Sequence, residues 1–209
     1  MKKIILLIAL FISLLPLTIQ AQKKYFNLDF EKTDSIGKKI FQWKNETFGT
    51  EFYVDSATKA QGKSSMFANL QHVVGVKNGV PFYFVLPTAY YTGLRSISIS
   101  LKIMFRNEKP NAGLWCTVKK DNELLATACT YKGNVSMNVI PFSATAGTMV
   151  PVIPYTWTPY NFTIKFDKDP NFVIIGLILL NDRAWFDNIE IKLNGKPVND
   201  LVFGVAPSK

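Results

Sequence analysis

Ala184 to Leu193 reads Ala-Trp-Phe-Asp-Asn-Ile-Glu-Ile-Lys-Leu and is closed by Asn194-Gly195-Lys196-Pro197. Trp185, Asp187, Ile189, Ile191 and Leu193 share one parity, and Phe186, Asn188, Glu190 and Lys192 share the other. Alternation over this length specifies a half-buried strand. Asn-Gly ends it as a turn, and Pro197 lacks the amide a ladder would use. Asp187 is the anomaly, a carboxylate on the face otherwise given to Trp, Ile and Leu. Unpaired there it would cost several kcal/mol, so the pattern predicts a cation or a set of donors around it.

The rest of the chain repeats this grammar. Tyr25–Glu31 alternates, 51–54 is a further short strand candidate, and 65–74 and 80–86 follow, broken by Lys77-Asn78-Gly79. In Ile97–Phe105 the odd positions Ile97, Ile99, Leu101, Ile103 and Phe105 point inward, and Ser98, Ser100, Lys102 and Met104 point out. Further strands are expected at 114–119, 124–131 and 160–166. Phe172–Leu180 is apolar at every position, as for a strand covered on both faces. Residues 133–159 hold Pro141, Pro151, Pro154 and Pro159 and admit only short or edge strands. About ten strands without helical periodicity predict an all-β chain, an antiparallel two-sheet β-sandwich of jelly-roll type, with its core at 25–193 and its last strand at 185–193.

The first residues read as an export signal. Lys2 and Lys3 precede an apolar run from Ile4 to Leu17, and cleavage is expected after Ala21. The run is interrupted by Ser13 and Pro16 and falls short of the roughly 20 apolar residues of a membrane span. Residues 22–209 then form a single domain, exported to the periplasm, the cell surface or the medium. Loss of Lys2 and Lys3 lowers the net charge from +9 to +7. The basic balance comes from scattered lysines, with Arg95, Arg106 and Arg183 the only arginines, so no arginine-rich nucleic-acid patch is present. Acidic glycans are one attraction for such a surface; a plainly solvated lysine face is the other account.

Cys116 and Cys129 flank the turn Lys119-Lys120-Asp121-Asn122-Glu123. A loop at 121–124 sets them opposite each other, whereas a two-residue loop at Asp121-Asn122 displaces them by two positions. Export favours a Cys116–Cys129 disulfide, adjacent-strand geometry strains one, and two buried thiols are the alternative.

Catalytic templates are missing. His72 is the single histidine, which excludes a multi-His zinc site. There is no Gly-x-Ser-x-Gly elbow, phosphate loop or dinucleotide fingerprint. Asp167 and Asp169 flank a turn, and Asp55-Ser56-Ala57 reads as a solvated turn. Aromatic residues are the richer signal, because flat rings stack on sugar rings while neighbouring polar groups bond the hydroxyls. Trp157 and Trp185 read as core or sheet-packing residues. Trp115 has the opposite parity from Leu114 and Cys116, which places it on the outer surface of its sheet. It is the candidate stacking residue, with Tyr131, Tyr90 and Tyr91 as companions.

Asn27-Leu28-Asp29-Phe30-Glu31, Trp43, Ala60-Gln61-Gly62-Lys63-Ser64-Ser65, Trp157-Thr158-Pro159-Tyr160 and Trp185-Phe186-Asp187-Asn188-Ile189 carry a resemblance over nearly the whole chain after the signal. The chain is similar to the secreted β-sandwich carbohydrate-binding modules of the galactose-binding-domain-like class. That resemblance implies a structural Ca²⁺ held by Glu31, the Lys63 carbonyl and Asp187, with Asp29 as a further ligand. It implies no particular sugar-binding aromatic residues. Three functions follow in order: non-catalytic binding of a polysaccharide or other glycan; a structural or protein-interaction domain partnered by envelope proteins; and a jelly-roll lyase or hydrolase, whose acid/base cluster is not visible.

Overall fold

The structure is a computed structural model that describes residues 27–30, 43–44, 51–70, 80–108, 112–130, 153–180 and 182–198. Its strands are β1 (Glu51–Asp55), β2 (Ser65–Asn69), β3 (Val80–Val85), β4 (Ser96–Phe105), β5 (Ala112–Lys120), β6 (Glu123–Cys129), β7 (Trp157–Lys165), β8 (Phe172–Leu179), β9 (Arg183–Leu193) and β10 (Lys196–Pro197). They form two antiparallel sheets, a larger one in the order β1-β2-β9-β4-β7, with β10 paired on β9, and a smaller one in the order β3-β8-β5-β6. The expected sandwich is present. One expected strand is absent: 27–30 is a turn, with Asn27 and Phe30 at positive φ. Phe30 is nevertheless fully buried, against Trp43.

The core lies between the inner faces. Ile97, Ile99, Leu101, Ile103 and Phe105 of β4 meet Leu114, Cys116 and Val118 of β5 and Val173, Ile175, Leu177 and Leu179 of β8. β8 is covered on both sides, as its unbroken apolar run requires: Ile174 and Ile178 join Trp115 and Cys129 in a second cluster on the outer face of the smaller sheet. Pro159 is tolerated because β7 is an edge strand. At the end of β9, Asn194 and Gly195 both take positive φ, as a two-residue hairpin turn demands, and β10 pairs back through Lys196–Leu193 and Pro197–Lys192.

Two irregularities decide where side chains point. The first is in β9. Ala184 and Phe186 are fully buried in the core, and so are Ile191 and Leu193 nearly, although these pairs have opposite parity. The register between β4 and β9 shifts after Lys102–Asp187 and resumes at Ser100–Glu190, with Asn188 at φ 53°. This β-bulge inserts one residue and reverses the alternation. Trp185, expected on the core parity, therefore lies on the outer face of the larger sheet, and Phe186, expected outside, fills the core.

The second is in the β5–β6 hairpin. The loop is Asp121-Asn122, with Lys120 opposite Glu123, but a shift between Val118 and Lys119 leaves Cys116 opposite Ala128 and Trp115 opposite Cys129. The displacement is one position, so Cys116 points into the main core and Cys129 points out of the other face. The expected Cys116–Cys129 disulfide is corrected accordingly: both are buried free thiols. Burial pushes the Cys116 thiol far up, which keeps it uncharged.

Gly176 shows how tightly the outer cluster of the smaller sheet is packed. It lies between Tyr83 and Trp115 in the register, and a Cβ there would come 2.5 Å from Trp115 Cε2 and 2.8 Å from Cζ2. Gly176→Ala should therefore cost about 1–3 kcal/mol in chemical denaturation. The cost should largely vanish beside Trp115→Leu, where the ring is gone. An equal cost in both backgrounds would contradict this packing.

Candidate functional site

Of the aromatic residues expected to bind, the three described ones, Trp115, Tyr90 and Tyr91, do not share a surface. Trp115 does leave the core parity, but it is only 1% exposed, lying over Gly176 with Tyr83 at a centroid distance of 6.3 Å. It is a packing residue, because the glycine beneath it lets the indole settle flat onto the sheet. Tyr91 is buried in the main core; its hydroxyl donates to the Leu86 carbonyl at 2.6 Å and accepts the Val173 N–H at 3.1 Å. Burial raises its pKa against the opposing pull of the Val173 bond. Tyr90, half-buried in the 3-10 turn Thr88–Tyr90, packs on the same core. Neither tyrosine therefore shares a surface with Trp115. Tyr131 lies outside the described residues, as does His72.

Backbone amides surround the Asp187 carboxylate. Asp187 is 2% exposed, and its Oδ2 accepts the N–H groups of Ala60 at 2.6 Å and Gln61 at 2.9 Å while Oδ1 accepts the N–H of Asn188 at 2.6 Å. Donors of this kind satisfy the requirement that the sequence imposed. Lys63 is exposed in the same loop, Asp29 is half-buried in the 27–30 turn, and Glu31 lies outside the described residues. Among the described residues no three His, Cys, Asp or Glu side chains gather as metal ligands. With amide hydrogens on both oxygens, the Asp187 carboxylate is satisfied without a cation.

What the fold does bring together lies on the outer face of the larger sheet. Register pairs link Tyr53 to Phe67, Phe67 to Trp185, Trp185 to Met104 and Met104 to Trp157. These residues form one row across β1, β2, β9, β4 and β7. Tyr53 and Phe67 are 4.8 Å apart at their centroids, and Phe67 and Trp185 are 4.9 Å apart. Tyr53 is 42% exposed, Trp185 and Trp157 are half-buried, and Phe67 and Met104 are buried between them. Tyr155, 63% exposed, stands beside the end of β4, where its N–H donates to the Phe105 carbonyl. Parallel to the row, farther along β4, run two polar rows: Asn161–Ser100–Glu190 and Thr163–Ser98–Lys192. Ser98 and Thr163 hydroxyls share a 2.9 Å hydrogen bond, Glu190 and Lys192 pair at 3.5 Å, and the six line an open depression of about 160 Å³.

Asp55 fixes the central ring. Its Oδ2 accepts Trp185 Nε1–H at 2.8 Å, and its Oδ1 accepts the N–H groups of Ala57 at 2.8 Å and Thr58 at 3.2 Å. The segment expected to be only a solvated turn is thus the anchor of an outer-face tryptophan. Burial pushes the Asp55 pKa up, but the bonds from Trp185, Ala57 and Thr58 together outweigh it and hold the carboxyl below its ordinary value. Sequence reasoning missed this row because Trp185 was placed by unbroken alternation. The usable signal was Asp187-Asn188, an acidic residue where the core face should continue, next to a residue type that tolerates positive φ.

No sequence-family profile matches the chain, and no curated protein does. Among solved structures, the CBM22-1 xylan-binding domain from Paenibacillus barcinonensis Xyn10C superposes with a TM-score of 0.50 at 15% identity, over 79% of this chain and 90% of that one. The chain has the fold of a carbohydrate-binding module. The xylan-binding domain from CBM 22 formerly termed x6b matches with a TM-score of 0.48 at 11% identity, over 82% and 96% of the two chains. TmCBM61, solved with β-1,4-galactotriose, matches with a TM-score of 0.40 at 12% identity, over 80% and 95%. Among the described residues no helix is long and apolar enough to cross a membrane.

The lowered Asp55 pKa gives a pH test of the Trp185 anchor. A depressed folded-state pKa contributes stability above the unfolded value and loses it as pH falls through the folded one. Asp55→Ala should therefore melt below the wild type by a constant margin near neutrality, and the margin should narrow on acidification. A margin that stays constant into strong acid would show that the carboxylate charge is not what holds Trp185.

Proposed function

We propose that the protein is a non-catalytic polysaccharide-binding module that acts outside the cytoplasm, and that its ligand lies on the outer face of the larger sheet. The observation that carries this reading is the Tyr53–Phe67–Trp185–Met104–Trp157 row, which crosses β1, β2, β9, β4 and β7 beside rows of hydroxyl and amide groups. A flat apolar platform next to convergent donors and acceptors is what a sugar ring needs, since each ring has an apolar face and a polar rim. The sandwich fold shared with a xylan-binding domain supports the reading, as does the export signal read at residues 1–21. Polyhydroxylated ligands also suit the Ser98, Ser100, Asn161 and Thr163 side chains, which supply both donors and acceptors.

Trp157 provides the cleanest test because it is half-buried on the edge strand β7, where truncation disturbs packing least. Loss of one stacking ring costs about 1–3 kcal/mol, or roughly 5–150-fold in affinity. Titration calorimetry of purified protein against soluble xylans, glucans and galactans should show binding that Trp157→Ala weakens within that range without a change in melting temperature. Leu124→Ala, an exposed position on the smaller sheet, should leave binding intact. Absence of binding across the panel would replace this reading with a protein-interaction role on the same scaffold.

A further inference from the structure

We infer that the bound glycan carries acid groups, uronate carboxylates or sulfate esters, which meet Lys102 beside the aromatic row and Lys165 farther along the same face; this rests on the binding face proposed above. Lys102 precedes Met104 by one outward position on β4 and Arg183 precedes Trp185 by one on β9; the two strands are antiparallel, so a cation borders the row on each side. Farther along the same face stand Lys192, opposite Ser98, and Lys165, opposite Ser96. With a rise of about 3.3 Å per residue, Lys102 lies about 7 Å along β4 from the aromatic row, and the Lys165 row about 20 Å beyond Lys102.

The acidic groups nearby are already engaged. Glu190 is paired with Lys192, Asp55 accepts the Trp185 indole and two backbone amides, and Asp187 accepts three amides. Among the described residues the ammonium groups of Lys102 and Lys165 enter no hydrogen bond or ion pair. A purely neutral sugar would give these ammonium groups only hydroxyl partners, whereas a uronate or sulfate gives each an opposite charge. The net charge of +7 that remains once Lys2 and Lys3 are lost with the export signal acts in the same sense at longer range, drawing a polyanion to the surface.

The test compares polygalacturonate and dextran sulfate with neutral galactan and dextran for the wild type, Lys102→Gln/Lys165→Gln, Lys119→Gln/Lys120→Gln and Trp157→Ala. The second double variant makes the same charge change on the smaller sheet. The wild type should prefer an acidic polymer by about tenfold or more in low salt, and the preference should shrink as ionic strength rises to about 0.5 M. Lys102→Gln/Lys165→Gln should lower affinity for the acidic polymer about five- to tenfold and change neutral binding less than about twofold. Lys119→Gln/Lys120→Gln should leave the preference in place. The polygalacturonate and dextran sulfate arms decide between carboxylate and sulfate as the acid group. Equal binding of neutral and acidic polymers would overturn the inference while leaving the glycan site standing, provided Trp157→Ala still weakens both. Equal losses from the two double variants, or equally tight binding to single-stranded DNA, would show attraction by net charge alone and overturn it as well. Acidic binding untouched by Trp157→Ala would remove the aromatic face itself.

Discussion

The three amide hydrogen bonds to Asp187 hold the β-bulge on which the arrangement of β9 depends. β9 is the strand between β2 and β4, and its pairing with β2 ends at Met66–Phe186. Beyond that point the loop carrying Ala60 and Gln61 donates to the Asp187 carboxylate, while the bulge residue Asn188 donates to its other oxygen. A buried carboxylate without those donors would cost several kcal/mol, and charge-assisted bonds are among the strongest that a protein makes. The bulge lets one strand serve the core twice, through Ala184 and Phe186 on one side of it and through Ile189, Ile191 and Leu193 on the other. The same reversal turns Trp185 outward.

Turning Trp185 outward completes a row that would otherwise be two disconnected pieces. Tyr53 and Phe67 come from the β1–β2 pair, and Met104 and Trp157 from the β4–β7 pair, with Trp185 joining them. Asp55 then fixes the indole from the turn that follows β1, and that turn leads into the loop that holds Asp187. Residues 55–61 thus link the buried carboxylate to the exposed face. Stability and the position of the Trp185 ring are coupled there through the hydrogen bonds to Asp187 and Asp55 and not through the core.

Much of this was legible before the structure. The inward and outward sets of β4, the double covering of β8, the edge position that Pro159 demands and the need for donors around Asp187 all follow from periodicity and the cost of burying polar groups. The errors came from single-residue insertions. One bulge in β9 reversed Trp185 and Phe186, and one shift in the β5–β6 hairpin sent Cys116 and Cys129 to opposite faces. A period-2 pattern does not reveal where it is interrupted, and each interruption exchanges the two faces for every later residue. Trp115 failed differently: its parity was right, but parity gives a direction and says nothing about exposure. Gly176, the single glycine in the apolar run Phe172–Leu180, was the available hint that something large lay across it.

The proposed ligand site is the Trp157–Trp185 face, and not the opposite sheet or the core. The four tryptophans, Trp43, Trp115, Trp157 and Trp185, each supply an indole N–H that a ¹⁵N correlation spectrum resolves separately. Titration of the protein with oligosaccharides from glucuronoxylan should shift the Trp157 and Trp185 indole resonances and leave those of Trp43 and Trp115 in place. Shifts confined to Trp43 or Trp115, or none at all, would contradict the account.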